Sequence, residues 1–461
     1  MDTVLERYSH QLFVGYLVLL AWIPLPMGSN RAWAWAMLEI WIYALAAAWL
    51  YGFCKGKIQL SQTFRRSGII LIVLAAWLAY AAAQFIPWPY ASVALISPES
   101  ARMHSLIQPA GWIPLSVDPH ASMEAWYMSL AYVLLFGLSL LLVDSRNRLK
   151  AVAYVLVLSG LFQAFYGGVM TLSGLEYGFF FKKYSHLGSA SGTYVNRDHL
   201  AGYLEMSLSV GIGLMISSLS GETSLTWRQR IRNWASLLLG EKLRLRIYLA
   251  VMVIGLVLSH SKMGNAAFFS SLITAGFIGL VLSKPAPRST VVFLASLIAI
   301  DIVIAGTWFG AERIVSGMQQ ASVAEAPERM EVSEYAFRQW KDYLWTGSGG
   351  GSFYTVFPRI RTGDLFHFYN HAHDDYVEIG SEYGIDGMVL LAFIVLSSFY
   401  AALLAQYRRR DPLMRGMAFS STMGIIALMI HSLTDFNLQI PANAATFMVI
   451  LSLGWISLYL E

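Results

Sequence analysis

Apolar runs of roughly 18–22 residues recur along this chain, and that recurrence restricts its fold more than any single motif does. Twelve such spans are expected, at about 11–27, 32–53, 67–85, 125–143, 151–170, 199–219, 245–260, 263–282, 290–309, 387–406, 415–433 and 442–460. Each is near the ~20 residues that a helix needs to cross ~30 Å of hydrocarbon. Inside lipid the backbone polar groups must pair within the chain, so the reading is an all-α, polytopic membrane bundle. Composition agrees: 56% of 461 residues are hydrophobic, more than a soluble domain of this size buries. The short seventh span joins the eighth through a tight Ser259-His-Ser-Lys262 turn.

Lysine and arginine set the expected orientation. With the N-terminus cytoplasmic, inner segments hold 20 of the 32 basic residues, including Lys55, Arg65, Arg146, Arg228, Arg246 and Arg408 to Arg410. Both ends are therefore expected in the cytoplasm. Nine of the ten histidines (all but His10) then fall on the outer side, which directs proton-transfer chemistry outward. The net charge of +4 follows from the loop basic residues, and no continuous basic face interleaved with aromatics supports nucleic-acid binding. A single cysteine, Cys54, excludes an internal disulfide framework. The first apolar run ends at Ile23-Pro-Leu-Pro-Met without a small-residue cleavage site, so no cleavable leader is expected.

Three regions follow. Residues 1–309 form a bundle of nine spans, 310–386 a large outer loop subdomain, and 387–461 the last three spans. Residues 86–124, Pro-rich and apolar, suit a segment lying at the interface. Within the long loop, Pro327 to Trp345 reads as an amphipathic helix, with Met330, Tyr335, Phe337, Trp340 and Leu344 for packing and Gly347 as the stop. The Gly347-Ser-Gly-Gly-Gly351 run then lets the backbone turn sharply.

The densest chemistry lies in Phe366 to Gly387, which packs three histidines, five acidic residues and three tyrosines into a chain only 13% charged. Its core, His371-Ala-His-Asp-Asp-Tyr-Val-Glu378, admits two readings: a general base, His373, oriented by Asp374 or Asp375, or a His/Asp metal cluster. The soluble metallohydrolases with a similar string carry it in a β-sandwich, which this chain lacks. Tyr376, Glu378 and Glu382 would mark the first turns of a helix starting there. Arg197 sits at the outer start of span six, where a cation opposes the helix dipole unless an anion compensates; a pair with Asp198 or Glu205 is the alternative. Lys262 offers a second cation at the membrane edge, or simple snorkelling. Arg329, Arg359 and Arg361 suit phosphate oxygens, with a solvated face as the alternative for the last two. Glu39 and Asp301, inside spans, have no assigned role.

Taken together these strings resemble the O-antigen ligase and polymerase superfamily of bacterial membrane glycosyltransferases. The matching stretches are Gly192-Thr-Tyr-Val-Asn-Arg-Asp-His-Leu-Ala-Gly202, Leu258-Ser-His-Ser-Lys-Met-Gly264, the Gly347-to-Phe353 run, His371-Ala-His-Asp-Asp-Tyr, and His431-Ser-Leu-Thr-Asp-Phe-Asn-Leu-Gln-Ile-Pro-Ala-Asn443. The resemblance covers roughly residues 150–445. It implies a GT-C-like bundle of about 12 transmembrane helices in the bacterial inner membrane, with its active site periplasmic. It implies transfer of a glycan from an undecaprenyl-diphosphate donor to a hydroxyl of a sugar or lipid A-core acceptor, among membrane lipid and without metal or other cofactor. On this resemblance His373 is the base, supported by Asp374 and Asp375. Arg197, Lys262, Arg329 and Arg359 hold the donor diphosphate, and His199, His371, Tyr376 and Glu378 serve the acceptor or support the site. Lys262 departs from the Ser-Arg-Gly of many members, keeping the charge and losing the bidentate fork. Asp374 replaces a common Asn, which makes His373 more basic if the carboxylate is close.

Polymerase, ligase and protein-glycosylating members share the donor and differ in the acceptor. The Thr193-to-His199 and Asp435-to-Pro441 strings lean toward exopolysaccharide-type polymerases. Transport of the same lipid-linked sugars is the lesser reading, because a flippase needs its cations in a membrane cavity rather than beside an external histidine-rich loop.

Overall fold

The apolar spans fold as helices of membrane length. A computed structural model of the chain describes residues 2–107, 111–179, 181–219, 240–282, 325–361 and 369–461, with isolated positions at 292, 295, 296 and 299. Its long helices are α1 (Asp2–Trp22), α2 (Ala32–Cys54), α4 (Gly68–Phe85), α7 (Pro119–Leu142), α8 (Arg146–Leu172), α9 (Arg197–Leu219), α10 (Glu241–Leu258), α11 (Lys262–Leu282), α14 (Asp375–Arg408), α15 (Pro412–His431) and α16 (Pro441–Tyr459). The polar helix α12 (Glu325–Asp342) and the short helices α3 (Gln62–Arg66), α5 (Tyr90–Ile96), α6 (Pro98–Ser105) and α13 (Phe353–Val356) complete the set.

Eleven of the twelve expected spans thus coincide with helices, and the ninth (290–309) lies mostly outside the described residues, as does Asp301. Among the described residues nine helices are long and apolar enough to cross a membrane. Helices α1 and α10 are not among these nine; charges such as Arg7, Lys242, Arg244 and Arg246 shorten their apolar runs. The chain is an all-α, multi-pass membrane protein. Its only strands among the described residues are a two-residue ladder in which Trp88 faces Ile113 and Pro89 faces Trp112.

Three helices form the centre. In their most apolar stretches α9, α15 and α16 bury 89%, 78% and 83% of residues, against 28% in α2, α4 and α14, whose apolar faces remain for lipid. α9 packs on α8, α10, α11, α15 and α16. Small residues permit the closest approach: a Cβ on Gly213 would sit 2.2 Å from the Gly416 carbonyl oxygen. Some buried hydroxyls in these helices donate back to their own turns, as Ser420 does to Gly416 and Thr446 to Ala442, while Ser421 of α15 reaches across to the Ile450 carbonyl of α16.

The described parts of the long connections before α7 and before α14 meet at one end of the bundle. Segment 86–118 forms α5, α6 and the small ladder, leaving Leu95, Ile107 and Trp112 exposed. It is stitched to the glycine run: the Val117 amide donates to Ser348, and Ser122 Oγ donates to Gly350. Helix α12 ends at Asp342, short of the expected Trp345, in a turn closed by the Gly347 amide donating to Tyr343. Its buried face also differs. Val332, Tyr335, Ala336, Gln339 and Tyr343 face inward, whereas Met330, Phe337 and Leu344 are exposed. The inner stripe runs 332, 335/336, 339, 343, so Tyr335 packs inward as expected and Trp340 is half-buried, while Ala336 and Gln339 take inner places in front of the exposed Met330, Phe337 and Leu344.

Candidate active site

The histidine-rich string is held where α14 begins. Asp374 caps that helix, its carboxylate accepting the Val377 amide at 3.1 Å. Asp375 ties the same end to the turn after α15: its amide donates to Ser432, and its Oδ2 accepts from Ser432 Oγ at 2.7 Å and the Leu438 amide at 3.0 Å. Both acids expected to orient His373 are thus committed to anchoring the helix start. Between them and the loop, His373 adopts φ +56°, a left-handed conformation uncommon for a residue with a side chain. Such strain persists where surrounding contacts enforce it.

The carboxylate facing His373 is Asp435. Its Oδ1 lies 3.8 Å from His373 Nδ1, while its Oδ2 lies 3.7 Å from His199 Nε2 and 3.9 Å from His431 Nε2. Asn437 Nδ2 donates to the same oxygen at 3.3 Å. Beside it, the Phe436 ring meets three imidazoles: His371 stacked at 4.4 Å, and His199 and His373 edge-on at 4.7 and 4.8 Å. Below, the fully buried His431 is hydrogen-bonded through Nδ1 to Glu205 of α9 at 2.8 Å. Four histidines from three separate parts of the sequence therefore meet at one buried Asp-Phe pair.

Glu378 serves the loop, pairing with His371 Nδ1 and accepting the Ala372 amide, each at 2.7 Å. Burial works against a charged His371, but Glu378, Glu382 and Asp375 outweigh it and hold the imidazole above its ordinary pKa. Burial raises the Asp374 carboxyl against the pull of the Val377 and Tyr376 amides. Tyr376 donates to the Met429 carbonyl at 2.9 Å and braces α14 on α15.

The cations gather at the other side of the α9 start. Arg197 Nη1 donates to Ser189 Oγ at 3.3 Å, and that hydroxyl is hydrogen-bonded to His260 Nδ1 at 3.1 Å. Lys183 Nζ, paired with Glu176, donates to the Ser189 carbonyl at 2.6 Å. Lys262, exposed, opens α11 one turn from His260. The expected donor-binding pair Arg197 and Lys262 thus borders a common turn. Arg359 lies elsewhere: its guanidinium sits 2.5 Å from Glu99 of α6, which Arg102 also holds. The Arg329 side chain lies outside the described residues.

A cavity of about 1180 Å³ adjoins the site. Its walls are mainly apolar, with Trp77, Tyr132, Phe399, Met429 and Phe447, and one side presents His371, Asp375 and Glu382. Among the described residues, no three His, Cys, Asp or Glu side chains are arranged to hold a metal ion.

Sequence reasoning quoted the His431-to-Asn443 string and gave Asp435 no role. The available signal was spacing: Asp435 follows His431 by four residues, and Asn437 and Asn443 fix it to α9. Asn443 Nδ2 donates both to Asn437 and to the His199 carbonyl.

Residues 247–392 match a family model described as O-antigen ligase, a stretch that takes in Lys262, His371 and His373 and stops short of Asp435. No curated protein matches the chain. That match, set in a bundle of membrane-length helices, supports the resemblance of this chain to the O-antigen ligase and polymerase superfamily.

Proposed function

We propose that the protein is a glycosyltransferase of the periplasmic face, moving a glycan from an undecaprenyl-diphosphate donor onto an acceptor hydroxyl. One observation carries the reading: the first turn of α9 presents Arg197 to the cationic turn and His199 to the imidazole cluster, so anion binding and proton acceptance share a wall.

In this mechanism Arg197 and Lys262, with Arg329, hold the diphosphate, and the helix start adds its own free amides. Arg359 joins them only on releasing Glu99. His373 Nε2 takes the proton of the acceptor hydroxyl while the acceptor oxygen bonds to the anomeric carbon. The bond from that carbon to the diphosphate oxygen breaks, and its electron pair leaves on the polyprenyl diphosphate. A diphosphate is a good leaving group, so the protein's task is to deprotonate one partner and stabilise the other. The apolar cavity suits the hydrocarbon part of a lipid-borne substrate.

Joining repeat units is slightly favoured as the reaction, on the Thr193-to-His199 and Asp435-to-Pro441 strings. The ligase description of the matched domain favours the second reading, transfer onto lipid A-core; protein O-glycosylation draws on the same donor. The glycan left on the lipid carrier in a strain lacking the protein separates them. Single repeat units stalled there support a polymerase, stranded long polymer a ligase or protein glycosyltransferase, and unchanged surface glycan refutes glycosyl transfer.

A further inference from the structure

We infer that Asp435 is the positioning residue of this reaction, a buried carboxylate that orients His373 and holds the charge it acquires; the inference rests on His373 acting as the base.

Asp435 is 1% exposed, which makes an acid expensive to keep unless its charge is used. Its two oxygens divide their neighbours. Oδ1 faces His373 Nδ1, whereas Oδ2 faces His199, His431 and the Asn437 amide nitrogen. At 3.8 Å the His373 contact is longer than a hydrogen bond, and catalytic hydrogen bonds are often long before substrate binds and tighten in the complex. With Nδ1–H turned to Asp435, the lone pair of His373 lies on Nε2, toward the acceptor. When Nε2 takes the hydroxyl proton the ring becomes a cation, and Asp435 is the carboxylate within 4 Å of it. Asp374 and Asp375, nearer in sequence, are occupied by the Val377 amide and by Ser432 and Leu438.

The other groups around this pair are His199, Asp198 and Glu205 from α9, His431 from α15, Asp375 and Glu378 from α14, and His371 from the loop. Glu205 pairs with His431 at 2.8 Å and Glu378 with His371 at 2.7 Å, whereas the carboxylate nearest His373 and His199 is Asp435.

The test uses membranes of a strain lacking the protein, which supply native donor and acceptor, with each variant of the full chain added back. Asp435→Asn is expected to lower the maximal transfer rate about 100-fold or more, with the half-saturating donor concentration unchanged. A carboxylate close to an imidazole favours its charged form, so on removing it the acidic limb of the rate profile is expected to move down by about one pH unit or more. Asp435→Glu is expected to recover part of both. A fall in rate with an unmoved limb means a structural role and overturns the inference. If Asp435→Asn does not fold, Asp435→Glu decides alone: a carboxylate one methylene longer moves the limb if Asp435 acts on His373 and leaves it in place otherwise. His373→Ala is run beside them. Full activity there defeats the base assignment itself, whatever Asp435→Asn does.

Discussion

Glu378 grips the histidine loop with both oxygens, one on His371 Nδ1 and one on the Ala372 amide, each at 2.7 Å. Because His371 is held above its ordinary pKa by the acids around it, this grip depends on pH. Below about pH 6.5 the imidazole is charged in folded and unfolded chains alike, and the pair contributes in full. The contribution is lost as pH rises through the raised folded value. Glu378→Gln is expected to cost about 1.5–3 kcal/mol at pH 6 and distinctly less at pH 9. Thermal melting in detergent at the two pH values checks this; an equal loss at both means that the grip does not depend on the charge of His371.

Arg197 is expected to act on the donor rather than on the proton. Removing one charge-assisted contact costs about 1.5–3 kcal/mol, so Arg197→Ala should raise the half-saturating donor concentration roughly ten- to a hundredfold. Arg197→Lys should recover only part, since the ammonium lacks the guanidinium fork. Transfer measured against donor concentration decides; a fall in maximal rate alone places Arg197 elsewhere in the reaction.

The fold was legible because its signal is long and redundant: runs of ~20 apolar residues admit little but membrane-spanning helices. The face of α12 was legible only in part: Tyr335 packs inward as expected, but Met330 and Phe337 lie outside and Ala336 and Gln339 inside. In the site, His373, His371 and Arg197 stood out as rare polar residues in an apolar chain. Asp435 did not, since its partners come from α9, α15 and the loop, and only tertiary folding brings them together. Asp374 and Asp375 drew attention by adjacency, but Asp374 caps the free Val377 amide of the helix start, and Asp375 accepts from Ser432 and Leu438 after α15.

Arg359 illustrates the same competition. Arg102 first and then Arg359 hold the Glu99 carboxyl below its usual range, fastening the α13 region to α6. This support is present above the ordinary carboxylate pKa and is lost as pH falls through the depressed one. Arg359→Ala is expected to cost about 0.2–1 kcal/mol of stability, as a partly exposed pair does, and to leave donor saturation unchanged. Parallel melting and donor-titration measurements on this variant and Arg197→Ala test it; equal losses of donor binding would return Arg359 to the diphosphate.

Gly384 is where the turn after α12 locks onto the bundle. Its φ of +63° and ψ of −173° fall in a region open essentially to glycine alone, and they break α14 into two helical parts. The break frees two amides from the helical ladder, and the turn after α12 takes them: Ile385 donates to Leu344 at 2.9 Å and Asp386 to Trp345 at 3.2 Å. The fit leaves no room, for a Cβ at Gly384 would sit 2.1 Å from the Trp345 carbonyl oxygen. Gly384→Ala must therefore either straighten α14 and orphan those contacts or force the loop away. A cost of about 3 kcal/mol or more is expected, well beyond an ordinary helix substitution. Because the first turns of α14 carry Asp375 and position His373, transfer should fall with stability. Ser397→Ala, on the regular part of the same helix, is the control and should melt within about 0.5 kcal/mol of the parent. If Gly384→Ala melts with that control and still transfers glycan, the break in α14 is dispensable, and the loop is held by its other contacts, those of Gln84, Ser122 and Val117 among them.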